Sequence, residues 1–231
     1  MLRGPQNLPE RLLEVRQRMA QAAARAGRNA QSVTLLGITK GQPAAVVRAA
    51  ADLGLDDFGE SYLQEALEKL DALQDRALTW HFVGRIQSNK TRPIAERFAW
   101  VHAVDRLKIA ARLAEHRPHY APPLNVCLQV RLGDEAGKGG VAADELPALA
   151  HAVAQLPRLK LRGLMCIPPE ETEAARQHAW FGELRRLYET LNTGGAALDT
   201  LSMGMSGDFE AAIEEGATLV RIGTALFGPR A

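Results

Sequence analysis

Residues 198–228 read LDTLSMGMSGDFEAAIEEGATLVRIGTALFG. Leu198–Met203 is a short apolar run that reads as a strand, Asp208–Glu215 reads as a helix, and Thr218–Ile222 reads as another strand. Both strands are continuous apolar runs, without the alternation of a half-exposed sheet. Such runs suit parallel strands covered on both faces. Two successive strands of this kind, joined through one helix, form a βα unit that hands the chain to its neighbour.

Working outward, the same unit recurs. Leu161–Ile167 reads as a strand before a long helix over Glu171–Leu191. Leu124–Arg131 reads as a strand, then a glycine-rich loop 133–140 and a helix capped by Asp144 that runs to Leu156. Trp100–Val104 is followed by a helix capped by Asp105 and ending near His116, and Leu78–Val83 by a polar loop 84–90 and a helix over Pro93–Phe98. Asp56–Gly59 precedes a helix over Ser61–Leu73 with Leu63, Leu67 and Leu70 on one side, and Val33–Thr39 precedes one over Pro43–Leu53. Ahead of them all, Leu8, Leu12, Val15 and Met19 fall at helical spacing in Leu8–Gly27. Eight βα units in 231 residues predict an α/β fold: a closed (β/α)8 TIM barrel forming one domain over residues 1–231. The leading helix is an extra one, lying across the barrel bottom or standing in for the eighth. An open doubly wound sheet is the alternative, although no GxGxxG follows a strand.

Composition excludes several function classes. With 28 basic and 27 acidic residues the formal charge is +1, which favours neither a nucleic acid nor an anionic membrane as partner. Arg85, Lys90 and Arg92 read as a solvated loop and helix start. No apolar run reaches membrane-spanning length and Met1–Glu10 carries no signal pattern, so a cytoplasmic location is expected. Cys127 and Cys166 sit inside apolar strands without metal-ligand spacing and read as buried free thiols. The six histidines are scattered, so no metal site is expected. Without an obvious exposed apolar stripe, the chain reads as a monomer.

In a (β/α) barrel, chemistry gathers at the carboxyl ends of the strands. Lys40 ends the first strand, either as an exposed lysine or as a desolvated amine of lowered pKa suited to an aldehyde. Ser206, in the turn before the Asp208 helix, is either an N-cap or a phosphate ligand. Arg221 lies within the last strand, where a charge needs a partner. Gly223 and Thr224 follow it with a close backbone approach, a hydroxyl and an N–H. Barrels often hold phosphate with the loops after strands seven and eight, so Ser206, Gly223 and Thr224 together point to an anion site. Arg221 beside it can anchor a phosphate oxygen or donate to a ring nitrogen. His81 reads as a core histidine or as one facing the mouth. Lys138, amid the glycines of 134–140 (DEAGKGG), belongs to a lid or rim that lacks the P-loop pattern.

Several segments resemble the pyridoxal phosphate homeostasis protein family: Gly37–Lys40 with Pro43, Phe58–Glu60 with Gln64 and Glu65, Trp80–Lys90 (WHFVGRIQSNK), Leu161–Pro168 (LRGLMCIP) and Leu201–Gly228. Ser61 and Gly41 stand where that family commonly has asparagine and threonine. The resemblance implies a barrel similar to the N-terminal domain of alanine racemase, carrying pyridoxal 5′-phosphate (PLP) as a Schiff base on Lys40. It implies phosphate binding by Ser206, Gly223 and Thr224, with Arg221 facing the pyridine nitrogen. It also implies a role in intracellular vitamin B6 homeostasis, with PLP-dependent apoenzymes as recipients. A carrier without robust turnover is the first expectation, because a racemase needs a second acid or base, and Tyr62, Tyr120 and Tyr188 lie at no evident strand end. The chain's end at Ala231 also leaves no room for the additional domain that supplies a tyrosine in alanine racemases. A PLP-dependent amino-acid racemase is the alternative. A barrel binding another phosphate, with Lys40 incidental, is a third reading.

Overall fold

The computed structural model describes residues 7–133 and 139–229. Eight parallel strands close into a barrel in sequence order. They are β1 (Thr34–Ile38), β2 (Asp57–Glu60), β3 (Thr79–Phe82), β4 (Trp100–Val104), β5 (Leu124–Val130), β6 (Leu159–Cys166), β7 (Thr200–Ser202) and β8 (Leu219–Ile222). β1 pairs with both β2 and β8, which closes the ring and excludes the open sheet. The helices are α1 (Leu8–Arg25), α2 (Ala44–Asp52), α3 (Leu63–Ala72), α4 (Thr91–Arg97), α5 (Leu107–His116), α6 (Leu146–Ala154), α7 (Ala174–Thr193), α8 (Phe209–Glu214) and α9 (Thr224–Phe227).

The helix after β8 is a single turn, and α1 packs against both α8 and α9. It therefore stands in for the missing eighth helix. Its buried face carries Leu8, Leu12, Val15, Met19, Ala22 and Ala23. On its outer side Arg18 pairs with Glu210 at 2.6 Å and Arg25 with Glu214 at 2.6 Å, both on α8. Elsewhere the sheet and its helices enclose Phe58, Phe98, Phe181 and Phe209, all fully buried. Each such side chain contributes roughly 1.5–3 kcal/mol.

Gly163 lets β6 and β7 meet. A Cβ there would lie 1.7 Å from the Thr200 carbonyl oxygen. Two expected caps are not caps. Arg106 occupies the N-cap position of α5 in an extended conformation, one residue beyond Asp105, whose carboxylate instead pairs with Arg106 at 2.7 Å. Glu145, not Asp144, precedes α6, and Asp144 accepts the Glu145 N–H at 3.1 Å. Among the described residues no helix is long and apolar enough to cross a membrane, and no cluster of three or more potential metal ligands occurs.

Candidate functional site

Because the strands are parallel, all their carboxyl ends open on one rim. Lys40 lies just past β1, Ser206 between β7 and α8, Arg221 within β8, Gly223 directly after it and Thr224 at the start of α9. All five line one cavity of about 310 Å³. Ile38, Val83, Ile167 and Met205 add an apolar wall, and Ser61 and Gly207 complete it. That volume suits a small cofactor or metabolite.

The side of the cavity away from Lys40 is built from two turns, one after β7 and one after β8. Asp208 accepts the Met205 N–H at 2.6 Å, which folds the first turn ahead of α8. Burial pushes the Asp208 carboxyl up, and the nearby Arg221 charge opposes this. Gly204 makes the turn possible: its φ is +91°, and a Cβ there would come within 2.6 Å of the Ala212 Cβ. Ser206 is not the N-cap of α8, a position held by Asp208. Its hydroxyl instead accepts the Ala225 N–H at 3.2 Å and ties the first turn to the second. The backbone N–H groups of Ser206, Gly207, Gly223 and Thr224 have no acceptor among the described residues. A Cβ on Gly207 would meet nothing within 4 Å, so the turn leaves space beside those donors.

Arg221 is buried, and three of its N–H donors are engaged by the ends of neighbouring strands. Nη1 donates to the Ser202 carbonyl at 2.6 Å and to the Ser202 hydroxyl at 3.0 Å, and Nη2 donates to the Cys166 carbonyl at 2.8 Å. Burial pulls its pKa down, yet a guanidinium stays charged at any physiological pH. The cavity therefore has a fixed cation at its base.

Around Lys40 a different cluster holds the chain. Lys69 of α3, only 4% exposed, donates to the Thr39 carbonyl at 2.6 Å, to Glu60 at 2.6 Å and to Glu65 at 2.5 Å. The Thr39 hydroxyl donates to Glu60, and Glu65 accepts the Gly41 N–H at 2.6 Å. Both backbone neighbours of Lys40 are thus tied to one ion cluster. Burial pushes the Glu60 carboxyl up, against the hydrogen bonds from Lys69 and Thr39. The sequence reading missed this cluster, because a lysine is rarely buried unless paired. Its signal was the Glu65–Lys69 spacing of four along α3.

His81 does not reach the cavity. It is buried, with Nε2 3.0 Å from Asp57 Oδ1 and Nδ1 2.9 Å from His102 Nε2. Tyr62, read from sequence as away from any strand end, lies two residues beyond β2 and is 61% exposed. It lines a second cavity of about 560 Å³, which shares Ser61 with the first. Lys138 and residues 134–137 lie outside the described residues. Cys127 and Cys166 are free and buried, and burial drives both thiols up to about 12, which makes them inert.

A lysine just past β1 shares its cavity with the turns after β7 and β8, and proteins of known family have the same barrel. The model of the alanine racemase N-terminal domain matches residues 12–231. A pyridoxal phosphate homeostasis protein of Pseudomonas aeruginosa is 61% identical, over 96% of each chain. The chain belongs to the pyridoxal phosphate homeostasis protein family. A relative of that name from Escherichia coli K12 is 47% identical over 97% of each chain. Among solved structures, PipY of Synechococcus elongatus without PLP superposes with a TM-score of 0.86 at 38% identity, covering 96% of this chain and all of PipY. PipY with PLP bound superposes with a TM-score of 0.81 over 91% of this chain. Family membership thus fixes the barrel as the alanine racemase N-terminal type, with its mouth formed by the turns described above.

Proposed function

We propose that this protein binds PLP in the 310 Å³ cavity at the barrel mouth, carries it on Lys40 as a Schiff base, and serves intracellular PLP homeostasis. The single observation that carries this reading is that Lys40, Ser206, Arg221, Gly223 and Thr224 line one cavity. Further support comes from relatives named for PLP homeostasis and from PipY, whose structure has been solved with PLP bound.

The residues present suit the group. The hydroxyls of Ser206 and Thr224 and the four backbone N–H groups without acceptors provide donors for a phosphate. Arg221 supplies a fixed cation with N–H donors still available for the ring nitrogen. Bound PLP supplies an aldehyde that condenses with amines, and a ring that withdraws electrons. The Lys40 nitrogen adds to the aldehyde carbon, the C–O bond breaks, and water leaves. An arginine facing the ring nitrogen disfavours its protonation and so weakens electron withdrawal, which suits retention over turnover. In this reading the protein is a cytoplasmic monomer in one domain, delivering PLP to apoenzymes without robust catalysis of its own.

The test is to add PLP to the purified protein, reduce with borohydride and map the modified peptide. A stable adduct on Lys40, absent from Lys40→Ala, is expected. An adduct on another lysine, or none, overturns the reading.

One observation favours a second reading, a PLP-dependent amino-acid racemase. Tyr62 lines the neighbouring cavity, which shares Ser61 with the first, and a racemase needs a second acid or base. Saturable racemisation of a small amino acid, lost in Tyr62→Phe, would establish it.

A further inference from the structure

Inside the barrel, five polar side chains join end to end. Asp57 opens β2 at the amino-terminal face, where it lines a polar cavity of about 250 Å³ with Arg162 and Asp199. His81 of β3, His102 of β4 and Ser202 of β7 follow, each buried, and Arg221 of β8 ends the series at the mouth. The separations are 3.0 Å from Asp57 to His81, 2.9 Å from His81 to His102, 2.9 Å from His102 to Ser202 and 3.0 Å from Ser202 to Arg221.

The chemistry of the two ends fixes the direction between them. A guanidinium only donates, and a carboxylate only accepts. The Ser202 hydroxyl accepts a hydrogen bond from Arg221 Nη1 and so directs its own O–H at His102 Nδ1. His102 then carries its proton on Nε2, aimed at His81 Nδ1. His81 likewise carries its proton on Nε2, aimed at Asp57. Every donor meets one acceptor. The opposite order needs a protonated Asp57 or a cationic His81, with Ser202 accepting from both sides. Burial holds both histidines below their ordinary range, and for His102 a proton on His81 would oppose a second one, as the Arg221 charge does. Trp100 stacks on His81 at 5.4 Å with the ring planes 7° apart, which keeps the imidazole from turning out of line.

We propose that Asp57, His81, His102 and Ser202 form a one-way hydrogen-bond chain, through two neutral imidazoles, that orients the Arg221 guanidinium toward the cavity. His81 and His102 are positioning residues for Arg221. The inference rests on the reading of Arg221 as a cofactor contact, but the state of the chain itself does not.

Nitrogen-15 NMR of the labelled full-length protein near pH 7 reads the tautomers. Both histidines are expected to show a protonated Nε2 and a bare Nδ1, and a proton on either Nδ1, or a cationic ring, overturns the chain. PLP titration of Ser202→Ala, which keeps the backbone bond from Arg221, is expected to show about tenfold weaker binding and a shifted visible band. Its thermal midpoint falls by a few degrees, because His102 Nδ1 loses its buried donor, and its His102 nitrogen signals move. Unchanged affinity, band and His102 signals in Ser202→Ala overturn the proposal while leaving PLP binding in place. If the unsubstituted protein takes up no PLP, the proposed function fails, and the tautomers alone then uphold or overturn the chain.

Discussion

The two sides of the mouth cavity are held by opposite means. Beside Lys40 the support is ionic: one buried lysine between two carboxylates, with Glu60 Oε2 lacking any hydrogen-bond partner among the described residues. Beside Arg221 the support is a neutral relay in which each imidazole nitrogen has a partner. Buried charges are costly to leave single, whereas a neutral chain is costly only where a link is broken. The lysine side is therefore the more sensitive to losing one member, and the arginine side to the direction of its donors.

The sharpest way to break this contrast is Lys69→Met. It strands Glu60 and should cost about 3–5 kcal/mol in urea unfolding. Adding Glu60→Gln should restore part of that loss, because no buried charge is then left alone. A double variant no more stable than Lys69→Met removes the ionic account. Next is Arg221→Ala, which leaves the Ser202 and Cys166 carbonyls with one donor fewer. We expect a loss of about 2–3 kcal/mol together with weaker PLP retention, measured by denaturation and absorbance titration. Weaker retention without loss of stability would mean that these internal bonds contribute little.

The two sides also respond to pH with opposite sign. His81 and His102 have pKa values lowered from 6.5, so below that pH the unfolded chain binds more protons than the folded one. Their contribution is complete above 6.5 and is lost as pH falls, by up to about 1.4 kcal/mol per histidine per pH unit. Glu60 has a raised pKa, so its contribution is present below 4.5 and is lost as pH rises through its folded value. Urea midpoints between pH 5 and 7.5 should therefore fall on the acid side, and more steeply in Glu60→Gln, which lacks the opposing slope. A flat profile contradicts the assignment of neutral buried imidazoles. The smallest effect belongs to Ser206→Ala. Loss of one exposed-side hydroxyl should weaken PLP binding about fivefold, roughly 1 kcal/mol, with little change in melting temperature.

The barrel and the residues of the mouth were legible because their signals are local. A continuous apolar run marks a strand and the residues after it lie toward the rim, which made Lys40, Ser206, Gly223 and Thr224 candidates. Alone, Lys40 also read as an exposed lysine and Ser206 as an N-cap, and only the last two turns together pointed to a site. Lys69 was hidden because the pattern on α3 suggested Leu63, Leu67 and Leu70 as the inner side. The structure instead turns Ala66, Lys69 and Leu70 inward. His102 was hidden for another reason: in WVHAV it is a lone polar residue in a strand, with no partner near it in sequence. Its two partners come from β3 and β7, 21 and 100 residues away.

Order along the chain therefore settled the number of strands, their parallel sense and the ends on which chemistry gathers, since hydrophobic period and segment length act within each unit. Closure of the sheet decided which polar atoms meet. Asp57, His81, His102, Ser202 and Arg221 line up only when five separate strands adopt one mutual register, and Lys69 finds its carboxylates only when α3 settles against β1 and β2. Those contacts depend on distances through space, which no periodicity along the chain encodes.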